Sequence, residues 1–587
     1  MIRAIVAAWL LLLTAVPLGA EDTPAIIDAG AMVHPDLSDT GMVVSQEALA
    51  SAVGAEILAQ GGNAVDAAVA TGFALAVTLP QAGNIGGGGF MLVHLAEEGR
   101  TVAIDYRESA PQAAHADMFL DKSGEVDRRQ ATLTHLAAGV PGTVAGLLHA
   151  LEHYGTMDRE QVLAPAIRLA EEGIRVTPAL AHSLERSASR LQRNETSRQY
   201  FFREDGSALQ PGDLWRQPDL AWSLTEIATH GAEAFYRGAI ADKLIAEMER
   251  GGGLMTREDL AAYQAVEREP VRGSYRGYDV VSMPPPSSGG VHLVQMLNVL
   301  EGWPLGEMEH NSAAYLHYLV ETMRRAYADR SKYLGDPDFH DVPVAELTDK
   351  VYGEQLRGMI SAERATPSRQ VAPGLPVITE SPQTTHYSVW DRAGNVVSNT
   401  YTLNFSYGNG ISVPGAGFLL NNEMDDFSAK PGEPNAFGLV GGEANAVAPG
   451  KRPLSSMTPT LVFRDGEPLL ATGSPGGSTI ITIVLQILLN VIDFDMNIAE
   501  ATAAPRIHHQ WLPDQIMWEK GISADTRALL EARGHTFATS IRPMGRAQSI
   551  MRRNDVLEGA ADPRWPGAGA ASATRITEKG MEQEVER

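Results

Sequence analysis

The sequence predicts an α+β fold of stacked helical and sheet layers. Three observations carry that expectation: apolar helix patterns near the N-terminus, two β-hairpin signals beyond residue 380, and an apolar helix directly after the second hairpin. From Gln46 to Gln60 the residues Leu49, Val53, Ile57 and Leu58 recur at helical spacing, and Gly61-Gly62 supplies a stop. Asn63 is placed to cap a second helix, with Asp66 in its first turn. The small-residue run from Ala64 to Val77 marks that helix as core. The glycine-rich Gly83 to Phe90 lacks the Lys-Ser/Thr ending of a phosphate loop and reads as a tight turn into a strand from Phe90 to His94. Residues from Met118 to Thr256 are charged and helical in pattern, a scaffold without chemical signature. Pro284-Pro285-Pro286-Ser287-Ser288-Gly289-Gly290 is a rigid turn into the apolar helix Val291 to Leu300.

The stretch from Gly358 to Glu380, with Pro367, Pro373 and Pro376, reads as an exposed linker. Strands follow: Thr385 to Trp390, a turn at Asp391 to Asn395, and Val396 to Leu403. A second hairpin runs from Thr460 to Phe463 and from Pro468 to Ala471, around Asp465-Gly466. Ser474-Pro475-Gly476-Gly477 then opens an apolar helix from Ser478 to Ile492. The tail after Trp565, rich in Ala, Gly and charge, is expected not to pack.

Composition narrows the function. The 587 residues suggest roughly four domain-sized units or fewer large ones. A hydrophobic content of 44% with 20% charged residues fits a globular protein. The net charge of −25 repels phosphate backbones and anionic lipid, so small molecules or peptides are the expected partners, with no nucleic acid. The absence of cysteine removes thiolate catalysis, disulfides and iron–sulfur clusters, which leaves an oxygen or nitrogen nucleophile. Residues 1–20 read as a secretory signal: Arg3, an apolar run from Ala4 to Val16, then Pro17 to Ala20 before Glu21. That run is too short to span a bilayer and no other segment is long enough, so a periplasmic or secreted protein without a membrane span is expected.

A threonine pair at the start of a strand is ordinarily structural. Thr384-Thr385, however, sits just after the linker. A threonine freed at a new N-terminus carries a hydroxyl nucleophile and an α-amine of pKa about 7.7–8.0 together. Four ordered motifs then carry a resemblance: Thr384 to Val389, Leu419-Leu420-Asn421-Asn422-Glu423-Met424-Asp425-Asp426-Phe427, Lys451 to Met457, and Thr472 to Ser478. With Asp105-Tyr106-Arg107-Glu108 and the Pro284 to Gly290 turn upstream, the chain resembles the γ-glutamyltranspeptidases over nearly its whole mature length.

The resemblance implies a four-layer αββα sandwich of the N-terminal-nucleophile hydrolase type. It implies a precursor that cuts itself between Gln383 and Thr384 into a large subunit, 21–383, and a small subunit, 384–587, interlocked as a heterodimer. By the same resemblance Thr384 attacks a γ-carbonyl, Thr402 orients or activates its hydroxyl, and the N–H groups of Gly476 and Gly477 hold the oxyanion. A substrate's glutamyl end carries both charge signs, so its pocket must offer both. The resemblance gives Arg107, Ser455 and Ser456 to the carboxylate, and Asn404, Glu423 and Asp426 to the amine. Glutathione and related γ-glutamyl compounds are the implied substrates, with water, amino acids or dipeptides as acceptors and no cofactor.

Two positions mark this chain out. Glu423 carries one more negative charge than the Gln found in some relatives, which favours an ammonium. Phe437, in the lid-like segment Pro431 to Gly438, lacks a tyrosine hydroxyl often found there. His386 and His508-His509 lack metal-ligand spacing, so no metal is expected. Asp425-Asp426 invites a glycosidase reading, but neighbours on a strand would face opposite ways. A cephalosporin or glutaryl acylase and an uncleaved γ-glutamyl-peptide binder remain as alternatives.

Overall fold

The computed structural model describes residues 32–371, 384–430 and 442–573. The expected signal, the cleavage-side residue Gln383 and the lid-like segment with Phe437 lie outside them. Two seven-stranded antiparallel sheets form the centre. The first runs, edge to edge, Gly569–Ser572, Met42–Ser45, Thr385–Trp390, Val396–Thr402, Gly88–Leu95, Arg100–Tyr106 and Val266–Arg268. The second runs Asp36–Ser38, Val556–Ala561, Gln548–Arg553, Glu467–Thr472, Thr460–Arg464, Tyr278–Ser282 and Val271–Tyr275. Both expected hairpins form, one in each sheet. Each sheet mixes strands from before and after residue 384, so neither part of the chain completes a sheet alone.

Between the sheets lies an apolar layer that includes Met42, Phe90, Leu92, Trp390, Leu461, Phe463 and Ile550. Outside the first sheet pack the helices Ala48–Ala59, Ala64–Thr78 and Thr143–Tyr154. Outside the second pack Gly289–Leu300, Ala313–Tyr333 and Ile480–Ile492. The result is the expected αββα order. Because each sheet is covered on both faces, its central strands lack polar alternation, and Gly88–Leu95 and Thr385–Trp390 are buried throughout. Asn63 caps its helix in a capping box with Asp66, and every residue from Ala64 to Thr78 is buried.

The glycine run serves close approach. A Cβ on Gly87 would sit 1.9 Å from the Thr402 carbonyl oxygen, and one on Gly89 2.4 Å from that of Thr400. Any side chain here would push the Val396–Thr402 strand away.

One expectation needs correction. The tail packs beyond Trp565: Gly569–Ser572 pairs with Met42–Ser45 and supplies the edge of the first sheet. Its small residues let it lie close to the first helix, where a Cβ on Gly569 would come within 2.9 Å of the Ala48 Cβ. The linker, read as exposed from Gly358, is largely exposed as far as Val371, with only Ser368 buried, while its backbone is tied to the helix beneath it. The buried Arg324, Arg325 and Glu321 of the Ala313–Tyr333 helix need partners, and the linker provides them. Arg325 Nη2 donates to the Met359 carbonyl at 2.9 Å, and Glu321 Oε1 accepts from Thr366 N at 3.0 Å. Ser368 N donates to Asp514 Oδ2 at 2.7 Å, and Trp511 Nε1 donates to the carbonyls of Ser368 and Val371 at 3.0 Å.

Candidate active site

Strand register places the central pair. Thr385 pairs with Tyr401, so Thr384, one residue earlier, lies opposite Thr402. Residues opposite each other in an antiparallel pair share a face with Cβ atoms about 5 Å apart. Accordingly Thr384 Oγ1 donates to Thr402 Oγ1 at 3.3 Å. Thr402 Oγ1 also accepts from Asn404 N at 2.9 Å, which fixes the acceptor side of that hydroxyl. Asn404 sits at φ 71°, where asparagine is among the better-tolerated residues. Its Nδ2 donates to the Asn422 carbonyl at 2.8 Å, so the acceptor Oδ1 is the part left for a ligand.

Thr384 opens into a pocket also lined by Arg107, Arg330, Thr402, Asn404, Glu423, Asp426, Asn445, Ser455, Ser456 and Gly477. Nine of the ten expected site residues therefore share one wall. Gly476 stands one residue behind it, in the turn that presents Gly477. That turn needs glycine twice, with φ 148° at Gly476 and 56° at Gly477. Among the described residues neither N–H donates a hydrogen bond, which leaves two donors at a helix entrance.

Arg107 extends from the end of the Arg100–Tyr106 strand. Its Nη1 pairs with Glu423 and its Nη2 with Asp426, while Nε donates to the Pro453 carbonyl at 3.2 Å. Glu108 approaches Nη1 at 3.6 Å. One guanidinium thus faces three carboxylates, and Arg107, Glu108 and Glu423 are at most 1% exposed. Burial works against the Arg107 charge, but Glu423, Asp426 and Glu108 outweigh it and raise its pKa. Burial pushes Glu423 well above the usual carboxylate range and Glu108 up to about 7, against the pull of Arg107 in both. The groups expected for opposite ends of a ligand are paired with one another here, so a dipolar ligand must share or exchange those pairings.

The Asn421 to Phe427 motif builds this corner. Asn421 bridges Gly86 and Gly139 and accepts from Glu423 N at 3.0 Å. Glu423–Asp426 then forms a 3₁₀ turn, not a strand, which corrects the geometry assumed for the Asp pair. Asp426 lines the pocket, whereas Asp425 is buried behind it. Lys451 and Arg452 are structural: Lys451 Nζ donates to the carbonyls of Ala444 and Ala446, and Arg452 pairs with Asp105. The three histidines singled out in the sequence are buried in other hydrogen bonds, His386 with Thr400 and Ser388, His508 with Thr482 and Gln510, and His509 with Asp514.

Sequence reasoning missed three residues. Glu108 stood in a quoted motif without a role. Asn445 ties the Asp426 carbonyl to Leu454 N at 2.8 and 2.9 Å, and Arg330 reaches the pocket from a helix over one hundred residues away. Only Glu108 had a signal, its adjacency to Arg107.

Comparison with known proteins decides the family. A family model described as gamma-glutamyltranspeptidase matches residues 50–572. The chain belongs to the gamma-glutamyltranspeptidase family. It is similar to the glutathione hydrolase proenzyme of Escherichia coli, 54% identical over 532 residues, 90% of this chain and 91% of that one. Among solved structures it resembles a cephalosporin acylase from Bacillus halodurans (TM-score 0.82, 30% identity, 93% of this chain and 99% of that one). It also resembles the Helicobacter pylori gamma-glutamyltranspeptidase (TM-score 0.55, 48% identity, 56% of this chain and 93% of that one). The fold is therefore that of the N-terminal-nucleophile hydrolases, and the family member is a γ-glutamyl-transferring enzyme made as one precursor for two associated subunits. Among the described residues no helix is long and apolar enough to cross a membrane.

Proposed function

We propose that the chain cuts itself between Gln383 and Thr384 and then opens glutathione and related γ-glutamyl amides through a γ-glutamyl-Thr384 ester. Residues 21–383 form the large subunit and 384–587 the small one. Removal of residues 1–20 on export gives a periplasmic enzyme.

The Thr384 hydroxyl attacks the γ-carbonyl carbon, and its proton passes to the α-amine created by the cut, whose pKa of about 7.7–8.0 suits a base near neutrality. Thr402 holds the hydroxyl in line. The N–H groups of Gly476 and Gly477 receive the charge that develops on the carbonyl oxygen. The tetrahedral species collapses by breaking the C–N bond; the leaving amine takes the proton and the acyl group stays on Thr384. Water, or the amine of an amino acid or dipeptide, attacks the ester and restores the hydroxyl. Arg107, Ser455 and Ser456 take the α-carboxylate, while Asn404, Glu423 and Asp426 take the α-ammonium.

The observation that carries this reading is the shared wall of the Thr384 hydroxyl and the Arg107–Glu423–Asp426 cluster. Likeness to the cephalosporin acylase favours a second reading, a glutaryl acylase. Such an enzyme needs the carboxylate grip but no acidic pair for an amine. Comparing γ-glutamyl-anilide with glutaryl-anilide separates the two: a strong preference for the first is expected, and equal rates overturn the proposal. An uncleaved binding protein is excluded if the purified chain runs as two bands on a denaturing gel.

A further inference from the structure

The two serines assigned to the ligand carboxylate raise a question of direction. A hydroxyl has one proton and two lone pairs, so a freely turning one presents a repulsive lone pair to a carboxylate part of the time. Something must commit each proton to the pocket. For Ser455 the chain does so locally, since Met457 N donates to Ser455 Oγ at 3.1 Å. For Ser456 the donor is remote.

Arg330, in the last turn of the Ala313–Tyr333 helix and 4% exposed, donates from Nη2 to Ser456 Oγ at 3.0 Å. Its Nε donates to Ser288 Oγ at 2.8 Å, and Ser288 Oγ in turn donates to the Ser455 carbonyl at 2.8 Å. A guanidinium has no acceptor, so the direction of the bond to Ser456 is fixed. With a lone pair taken by Arg330, the Ser456 proton is left for a ligand acceptor. The Pro-Pro-Pro-Ser-Ser-Gly-Gly turn now has a use beyond starting a helix: Ser288 N and Ser455 N bond across to Ser455 and Pro286 carbonyls at 2.8 and 2.9 Å, stitching the serine loop to the turn that Arg330 grips.

We propose that Arg330 is a positioning residue for carboxylate recognition, acting through Ser456 and Ser288. This rests on the carboxylate role given to Ser455 and Ser456 above. A lysine keeps the charge but cannot span both hydroxyls from one rigid fork.

The test uses three anilides: γ-glutamyl, 4-aminobutanoyl (the same group without its carboxylate) and glutaryl (without its amine). The kinetics of wild type, Arg330→Gln and Arg330→Lys are compared after two-fragment maturation and melting temperature confirm the fold. In Arg330→Gln the preference for γ-glutamyl over 4-aminobutanoyl falls about tenfold, the scale of one charge-assisted hydrogen bond, and the loss appears in KM rather than kcat. The preference for γ-glutamyl over glutaryl is kept. Arg330→Lys falls between wild type and Arg330→Gln, and adding Ser456→Ala to Arg330→Gln costs little more. An equal loss on all three substrates, or an unchanged preference, overturns the proposal; if Arg330→Gln fails to mature, the same comparison with Arg330→Lys decides. A wild-type enzyme with no preference for γ-glutamyl over 4-aminobutanoyl overturns the underlying carboxylate assignment as well, which distinguishes the two failures.

Discussion

Replacing Glu423 by glutamine tests the charge count in the pocket. Arg107 offers one positive charge to Glu423, Asp426 and Glu108, so full ionisation would leave two net negative charges in a buried cluster. Desolvation makes that state costly, and the raised pKa values of Glu423 and Glu108 mean that the pair holds a proton near neutrality. Glutamine copies the protonated form. Stability at pH 7 should therefore change by less than about 1 kcal/mol, whereas Arg107→Ala, which strands the carboxylates, should cost about 3–5 kcal/mol. Binding responds differently. An ammonium about 4 Å from an ionised carboxylate gains at most about 4 kcal/mol at an effective dielectric constant of 20. Glu423 must first lose its proton, at about 1.4 kcal/mol for each unit its pKa exceeds the ambient pH. Because burial raises the Glu423 pKa, the wild-type KM for a γ-glutamyl anilide should fall as pH rises, and the variant should lack that fall. Steady-state kinetics across a series of pH values, with melting temperatures at each pH, check both parts. A variant that melts more than about 1 °C below wild type at pH 7, or that keeps the wild-type KM profile, refutes the reasoning.

Further outcomes follow from the same structure. Thr402→Ala removes the acceptor of the Thr384 hydroxyl and should lower kcat about tenfold, near the value of one hydrogen bond, with KM little changed; Thr402→Ser should stay within a few-fold, and equal loss in both would mean packing rather than orientation. His386, His508 and His535 are buried with pKa lowered to about 3, and His509 to about 4. Burial favours their neutral forms, so their contribution to stability is fully present above about pH 6.5 and is lost progressively as pH falls toward 3 to 4. At pH 5, His508→Gln should take up about one proton fewer on unfolding than wild type, measured from the pH dependence of unfolding free energy, and an identical slope would contradict this.

The residues that line the pocket were reached through the family resemblance that short, dense motifs carry, not through local pattern. The structure sets Thr384, Thr402 and Asn404 on or beside one hairpin, and Glu423 and Asp426 in one turn. Their convergence was not legible locally: Arg107 meets Glu423 across 316 positions and Arg330 meets Ser456 across 126. No periodicity records such pairs, and Arg330 stands in an ordinary helical pattern. The tail was misjudged for a related reason. Small residues usually signal exposure, but Gly569–Ser572 completes a sheet edge.

The most direct test is mass spectrometry of the smaller fragment of the purified enzyme, read together with a Thr384→Ala variant. The expected result is a fragment whose first residue is Thr384, and a variant that stays a single inactive chain. A fragment beginning elsewhere, or an alanine variant that matures and retains full activity, would contradict the account.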